Sequence, residues 1–353
     1  MTDFESWLSQ AVARLDQQTE AAALSRQSQL TKPPGSLGRL EQLAVQLAAM
    51  QATATPCADN VHITIYAGDH GIMAEGVSAF PQSVTGAMIS NFATGGAAIS
   101  VLAKHLDASL AVINVGSVSE LAPIDGVQDQ RIAAGTANFC RQSAMSPDEC
   151  QQAMLIGKDN VEASLQQGAQ IYIAGDMGIG NTTSATAIAS ALLDLPAEQL
   201  AGPGTGLDLN GISHKIAVIN RALLLHKQQL NSPLAILQRL GGFEIAAMAG
   251  SYLACAKSGL PVIVDGFISS VAALTAEKIC PGSRNWFLFA HQSAEPGHRH
   301  ILNAMQAQPV FDMNMRLGEA SGAAITVPVL RQACALHNQM ATFAEAHIAE
   351  ALN

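Results

Sequence analysis

The segment Met315-Arg316-Leu317-Gly318-Glu319-Ala320-Ser321-Gly322-Ala323-Ala324 places one carboxylate, Glu319, among small and apolar residues directly before a long helical pattern. A carboxylate with so little polar company is either a costly accident or a base whose proton affinity is raised by its surroundings. Such a base takes up a proton from an acidic N–H or C–H group at a pH near neutrality. Its role depends on what the rest of the chain assembles around it.

Other stretches supply candidates for an anion site. Gly175-Asp176-Met177-Gly178-Ile179-Gly180-Asn181-Thr182-Thr183 combines glycines that let a backbone approach an anion with an Ala-rich run, Ser184–Leu193, that offers a helix N-terminus. Gly175 to Gly180 has the spacing of a phosphate loop, but Asn181 stands where the lysine belongs, which removes most support for a nucleotide triphosphatase. A tight strand-to-helix turn is the alternative. The cluster Gly202-Pro203-Gly204-Thr205-Gly206-Leu207-Asp208 is not GxGxxG and follows no visible strand, so it does not support a dinucleotide site. Lys215, just beyond it, is either a point charge for a phosphate or a surface lysine.

Histidines 291, 298 and 300 lie close together and His70 follows Asp69, yet HExxH and zinc-type spacings are absent, so no metal site is expected. Asp69 and His70 either orient one another or mark a turn. No GxSxG elbow exists, which disfavours a hydrolase triad.

The elements that must position these residues follow an alternating pattern. Short apolar runs at Val61–Ala67, Leu110–Val115, Gln170–Ala174, Val262–Val264 and Trp286–Phe289 alternate with helical stretches, which predicts βα units and a parallel sheet. Each run leads into a polar or glycine-rich loop: Gly68-Asp69-His70-Gly71, Gly116-Ser117, the 175–183 loop, Asp265-Gly266-Phe267, and His291 to His298. Ligands of open parallel sheets bind outside the carboxyl ends of strands, so five such loops predict one converging rim.

Helices frame this pattern. Thr2 and Glu5 fit a capping box, with Phe4, Trp7, Leu8, Ala11, Val12 and Leu15 at helical spacing behind it. After Lys32-Pro33-Pro34-Gly35 a second stripe runs through Leu40, Leu43, Leu47 and Met50. Residues 330–351 give another, with Leu330, Cys334, His337, Phe343 and Ile348 facing inward. The expected division is therefore a small helical domain from residues 1–55 and 330–353, and a large α/β domain over 56–329.

The totals exclude several classes. Of 353 residues 49% are apolar and 13% charged, and the net charge is −10, so a basic nucleic-acid stripe is missing. No uninterrupted apolar run is expected to approach the roughly 18 residues of a membrane span, and the start lacks a signal-peptide pattern. The six cysteines, without CxxC spacing, read as buried free thiols in a reducing cytoplasm.

Taken together, the motifs resemble the nicotinate-nucleotide:dimethylbenzimidazole phosphoribosyltransferase family of cobalamin lower-ligand assembly. The resemblance rests on Lys32-Pro33-Pro34-Gly35-Ser36-Leu37-Gly38-Arg39-Leu40-Glu41, Asp69-His70-Gly71 with Glu75-Gly76-Val77, and Gly178 with Asn181-Thr182-Thr183. Gly241-Gly242-Phe243, Asp265-Gly266-Phe267, Ser293-Ala294-Glu295 and Met315–Ala324 follow in family order.

The resemblance implies a Rossmann-like parallel sheet flanked by helices, a small helical domain from both termini, and a homodimer. It implies no cofactor and two partners, nicotinate mononucleotide and a benzimidazole-type base. By resemblance, Glu319 matches the catalytic base, and Gly178, Gly204, Lys215 and Ser293 match positions that hold the nucleotide phosphate and its neighbours. Phe80, Met88 and Leu317 fall where the family lines its base pocket. Burial beside Leu317 is expected to raise the proton affinity of Glu319, and Asp176 is the candidate for easing positive charge on the ribose. Asp176 stands where Glu is more frequent, Met88 where some members carry Gln, and Pro203 where Arg is frequent. These departures leave the acceptor open among dimethylbenzimidazole, adenine and phenolic bases. A sugar-phosphate isomerase using Glu319 on a C–H bond and a non-catalytic nucleotide-binding regulator are the competing readings.

Overall fold

The computed structural model describes residues 3–349. Six strands form one parallel sheet in the order β3-β2-β1-β4-β5-β6. They are β1 Val61–Gly68, β2 Ser109–Gly116, β3 Val127–Asp129, β4 Ile171–Met177, β5 Val262–Val264 and β6 Phe287–Phe289. All eight residues of β1 are buried, as a central strand covered on both faces requires. The expected α/β class with helices flanking a parallel sheet is therefore present.

The strand order reverses direction between β1 and β4, which lie side by side in register from Val61 opposite Ile171 to Ala67 opposite Met177. At such a switch point the connections leave on opposite sides and a crevice opens at the carboxyl ends. The order is that of a dinucleotide-binding sheet, although the chain lacks the glycine fingerprint of that fold. β3 was not expected from the sequence; it is three residues long and largely exposed at the sheet edge.

Helix Phe243–Ser258, buried almost throughout, packs against β1, β4 and helix Pro147–Gln166. Helices Ser83–Ala93 and Ala98–Leu106 lie on β2, the first of them also on β1. Together they make up Ser83–Leu106, the one stretch among the described residues long and apolar enough by composition to cross a membrane, although it is not the uninterrupted apolar run whose absence was expected. Here it is two helices packed on a sheet.

The ends of the chain meet. Arg26 donates to the carbonyls of His337, Asn338 and Met340, and Leu30 bridges to Thr342. The expected helix over Arg39–Gln51 forms, with Leu43, Leu47 and Met50 buried. The first helix, Asp3–Ser9, is shorter than its apolar spacing predicts. Beyond it the chain is held by the large sheet unit instead: the Ala13 amide donates to the Ala256 carbonyl, Trp286 Nε1 donates to the Ala13 carbonyl, and Lys257 donates to the Gln10 carbonyl. These tertiary bonds outcompete continuation of the helix. The Thr2 half of the expected capping box lies outside the described residues.

Helix Ser321–Gln339 starts well before residue 330 and ends at Met340, after which Phe343–Ala346 forms a separate short turn of helix. Leu330, Cys334 and His337 are buried as expected, whereas Phe343 is only partly covered and Ile348 is 53% exposed.

Candidate active site

The carboxyl ends of the central strands and the 316–319 segment enclose a cleft of about 290 Å³. Phe80, Asp176, Gly178, Gly204, Ser293, Leu317 and Glu319 line it together. Of the five strand-end loops predicted to converge, those at 175–183, 265–267 and 291–298 reach the lining, whereas those at 68–71 and 116–117 do not. Two predicted residues stand elsewhere. Lys215 lies behind the wall, donating to Thr182 Oγ1, which does line the cleft. Met88 is half-buried on helix Ser83–Ala93, off the lining, with Asn91 Nδ2 3.8 Å from its sulfur.

Glu319 sits in a turn of unusual backbone. Gly318, Glu319 and Ala320 have φ of +81°, +57° and +59°, a left-handed run that two of the three residues adopt against steric preference. The turn persists because its surroundings leave it no alternative. A Cβ on Gly175 of β4 would lie 2.7 Å from the Ala320 amide nitrogen, so only glycine lets the strand and the turn come this close. On the far side Asp265 Oδ1 accepts the Ala323 amide at 2.7 Å and so caps helix Ser321–Gln339 from another part of the chain.

Gly175→Ala is therefore expected to push the turn off β4, destabilising the fold by about 1–3 kcal/mol and lowering turnover. Thermal melts and steady-state kinetics on the same variant check both effects.

Burial, and secondarily the charge of Asp265, raises the Glu319 carboxyl to about 6. Leu317 is 57% exposed and covers it little, whereas Glu319 itself is 8% exposed. Asp176 is raised well above the ordinary carboxylate range, first by burial and then by Asp265, Glu244 and Glu319. Asn181 Nδ2 donates to Asp176 Oδ2 at 2.8 Å.

The opposite end of the cleft is built for an anion. Lys215 is 1% exposed, so the surface-lysine alternative falls away. Its ammonium donates only to neutral acceptors, Thr182 Oγ1 at 3.1 Å and the Gly202 carbonyl at 3.2 Å. Burial lowers it to about 8, which leaves it protonated near neutrality. Arg316 Nη1 donates to the Gly204 carbonyl at 3.0 Å, and helix Asn181–Leu193 points its N-terminus at the same region. A Cβ on Gly178 would sit 2.2 Å from the Gly68 carbonyl oxygen, which fixes glycine at the crossing of the two switch-point loops.

The two histidine motifs have structural partners. Asp69 accepts from Thr85 Oγ1 at 2.7 Å and from the Val118 amide at 2.8 Å, while His70 Nε2 meets Glu244 Oε1 at 2.6 Å in full burial. Asp69 and His70 thus do not orient each other. His298 accepts the Ser293 amide at Nδ1 and contacts Ser270 Oγ through Nε2, which holds Ser293 in the wall; burial, and then the charge of His291, lowers His298 to about 3. Among the described residues no group of three or more His, Cys, Asp or Glu side chains could hold a metal ion.

A phosphoribosyltransferase family model matches residues 12–348. The chain belongs to the phosphoribosyltransferase family. It is similar to nicotinate-nucleotide–dimethylbenzimidazole phosphoribosyltransferase of Pseudomonas aeruginosa, 55% identical over 344 residues and covering 98% of each chain. The enzyme of that name from Pseudomonas fluorescens is 55% identical over 350 residues, covering 99% of each. The solved structure of the enzyme so named from Thermus thermophilus superposes with a TM-score of 0.90 at 41% identity, covering 96% of this chain and 100% of that one.

Within this phosphoribosyltransferase cleft, Asp265, Thr182, Arg316 and Glu295 were not singled out from sequence. Each stood inside a quoted motif, but its contact partner lies far along the chain. The usable signal was their position in strand-end loops, which marks a rim without ranking its members.

Proposed function

We propose that the cleft transfers the 5-phosphoribosyl group of nicotinate mononucleotide to 5,6-dimethylbenzimidazole or a related base, yielding nicotinate and the α-riboside 5′-phosphate for cobalamin lower-ligand assembly. The observation that carries the assignment of residues is the pairing of a buried base with a raised proton affinity, Glu319, in the cleft lining, and a buried cation, Lys215, behind the Gly204 wall with hydrogen bonds to neutral acceptors.

The chemistry follows from these two groups. The C1′–N bond to the pyridinium breaks with its electron pair moving to nitrogen, so nicotinate leaves without needing an acid. An unprotonated ring nitrogen of the base supplies the pair for the new C1′–N bond from the opposite face. The proton on the other ring nitrogen passes to Glu319, whose pKa of about 6 suits a base acting near neutrality. The phosphate, held by Lys215 and the amides of Gly178 and Gly204, with Ser293 beside them, anchors C1′ at a distance from the chemistry. Asp176 gains a reason to ionise once the cationic nucleotide is bound, and its charge then eases the positive charge that develops on the ribose. Phe80 and Leu317, 48% and 57% exposed at the cleft mouth, are placed to cover a flat aromatic acceptor. Met88 contributes to acceptor choice only at second hand, through its helix.

The same proposal takes residues 56–329 as the catalytic domain and residues 1–55 with 330–353 as a helical one. It also includes a cytoplasmic homodimer. Leu209, Leu224 and Leu225 stand 82%, 74% and 48% exposed on one helix, which supports an interface there. Light scattering that gives a monomer mass would remove the dimer. The reaction is tested by incubating the chain with nicotinate mononucleotide and a panel of azoles, purines and phenols. Nicotinate release that depends on the acceptor is expected; no release with any acceptor would sink the proposal.

A further inference from the structure

Glu295 is out of place in an anion site, because a carboxylate there repels the ligand. It is 6% exposed and lines the cleft beside Ser293, Gly204 and Arg316. Its Oε1 accepts the Gly204 amide at 3.1 Å, the same amide that the nucleotide phosphate is read as using. The loop around Gly204 is gripped on other sides by Arg316, which donates to the Gly204 carbonyl, and by Lys215, which donates to the Gly202 carbonyl. The Glu295 backbone is held by its amide donating to Ser293 Oγ, and its carboxylate lies against Gly202, where a Cβ would come within 2.1 Å of Oε2.

The empty cleft has a physical need for such a group. Without Glu295 or a bound anion, a loop with φ of +54° at Gly204 and +115° at Gly206 would lack a protein acceptor for the Gly204 amide, and the buried Lys215 ammonium would lose the carboxylate that acts on it. A half-buried amide without an acceptor and a buried ammonium without a counter-charge both cost stability. A carboxylate in the phosphate's place removes both costs. A phosphate and Glu295 cannot both keep the Gly204 amide, so binding is an exchange of one anion for another.

We propose that Glu295 is a positioning residue, an internal stand-in that keeps the Gly204 amide in anion-binding geometry while the cleft is empty and surrenders it when the nucleotide phosphate arrives. The inference rests on the reading that the phosphate seats at Gly204 and Lys215. Because substrate nucleotide and product nucleotide both carry the 5′-phosphate, the exchange weakens both equally and so favours release of product.

The test is calorimetric titration of nicotinate mononucleotide, and separately of inorganic phosphate, into the wild-type chain, Glu295→Gln and Glu295→Asp. Gln keeps an acceptor for the Gly204 amide and removes the charge. It is expected to bind both probes roughly fivefold more tightly, the size of effect for like charges about 4 Å apart in water, with the gain appearing in KM. Asp keeps the charge but is too short to reach the amide, and is expected to bind both probes more weakly than wild type. A passive prop predicts unchanged binding for Gln, because the amide keeps its acceptor. Binding by folded Glu295→Gln that equals or falls below wild type overturns the inference. Should Gln fail to fold, wild-type or tighter binding by Asp overturns it instead. If the wild-type chain binds neither probe, the anchor reading itself falls.

Discussion

Glu319→Gln is expected to lower kcat by about 10²–10⁴-fold, the usual worth of a positioned base, while nucleotide affinity stays as it was. Gln preserves the shape and hydrogen-bonding reach of the side chain, so the strained turn at 318–320 has no new reason to rearrange. What it cannot do is accept a proton. The acceptor's N–H must then be lost to water during attack, and C1′–N bond formation is left carrying a positive charge on the incoming ring. The effect falls on the chemical step alone because the phosphate end of the cleft is untouched. Rapid-quench measurement of a single turnover, with nucleotide binding measured separately, checks both halves. Near-normal turnover would remove Glu319 as the base.

Lys215→Met is expected to act at the other end and on a different quantity. The substitution conserves volume in a site that is 1% exposed. It leaves the Gly202 carbonyl and Thr182 Oγ1 without their donor and the buried Glu295 without its cation, so folding stability is expected to fall by about 1–3 kcal/mol. Affinity for the nucleotide is expected to drop by roughly ten- to 150-fold, the worth of a hydrogen bond to a charged group at about 1.5–3 kcal/mol. Remote binding energy is what holds C1′ in line, so part of the loss is expected in kcat as well. The decisive comparison uses nicotinate riboside, which lacks the phosphate. Wild type should lose much of its advantage on this substrate, and Lys215→Met should lose little more. An equal loss on both substrates would mean that the lysine supports the Thr182 and Gly202 contacts and does not grip the phosphate.

Much of the fold could be read from the chain because its central strands are continuous apolar runs. β1, β2, β4, β5 and β6 are deeply buried over most of their length, and burial on both faces is what makes a run visible. The edge strand β3 buries nothing fully and left no such trace. Helix Gln17–Gln29 was missed for a related reason: only Ala23 and Gln27 are buried, so it has no apolar stripe to find, and Asp16 accepting the Thr19 amide marks its start. The overlong first helix failed in the opposite sense. Its apolar spacing was real, but Val12 and Leu15 pack on the large sheet unit from an irregular segment.

At the site, the residue types were legible and their partners were not. Glu319 stood out through its apolar setting, although the neighbour first credited, Leu317, points largely to solvent. Lys215 looked like a surface residue because nothing nearby in sequence announces Thr182 and the Gly202 carbonyl. Asp265 is the sharpest case. Its carboxylate caps a helix that begins more than fifty residues later, a contact only the folded chain creates.

The most direct test of the base assignment is titration of the Glu319 carboxyl itself. With glutamate side-chain carboxyls labelled with carbon-13, the Glu319 resonance is identified by its absence in Glu319→Gln and followed across pH. The account predicts a midpoint near 6, with the carboxylate protonated below it and available as a base above it. A midpoint at or below the ordinary 4.5 would contradict the claim that this turn and its burial turn Glu319 into a base for chemistry near neutrality.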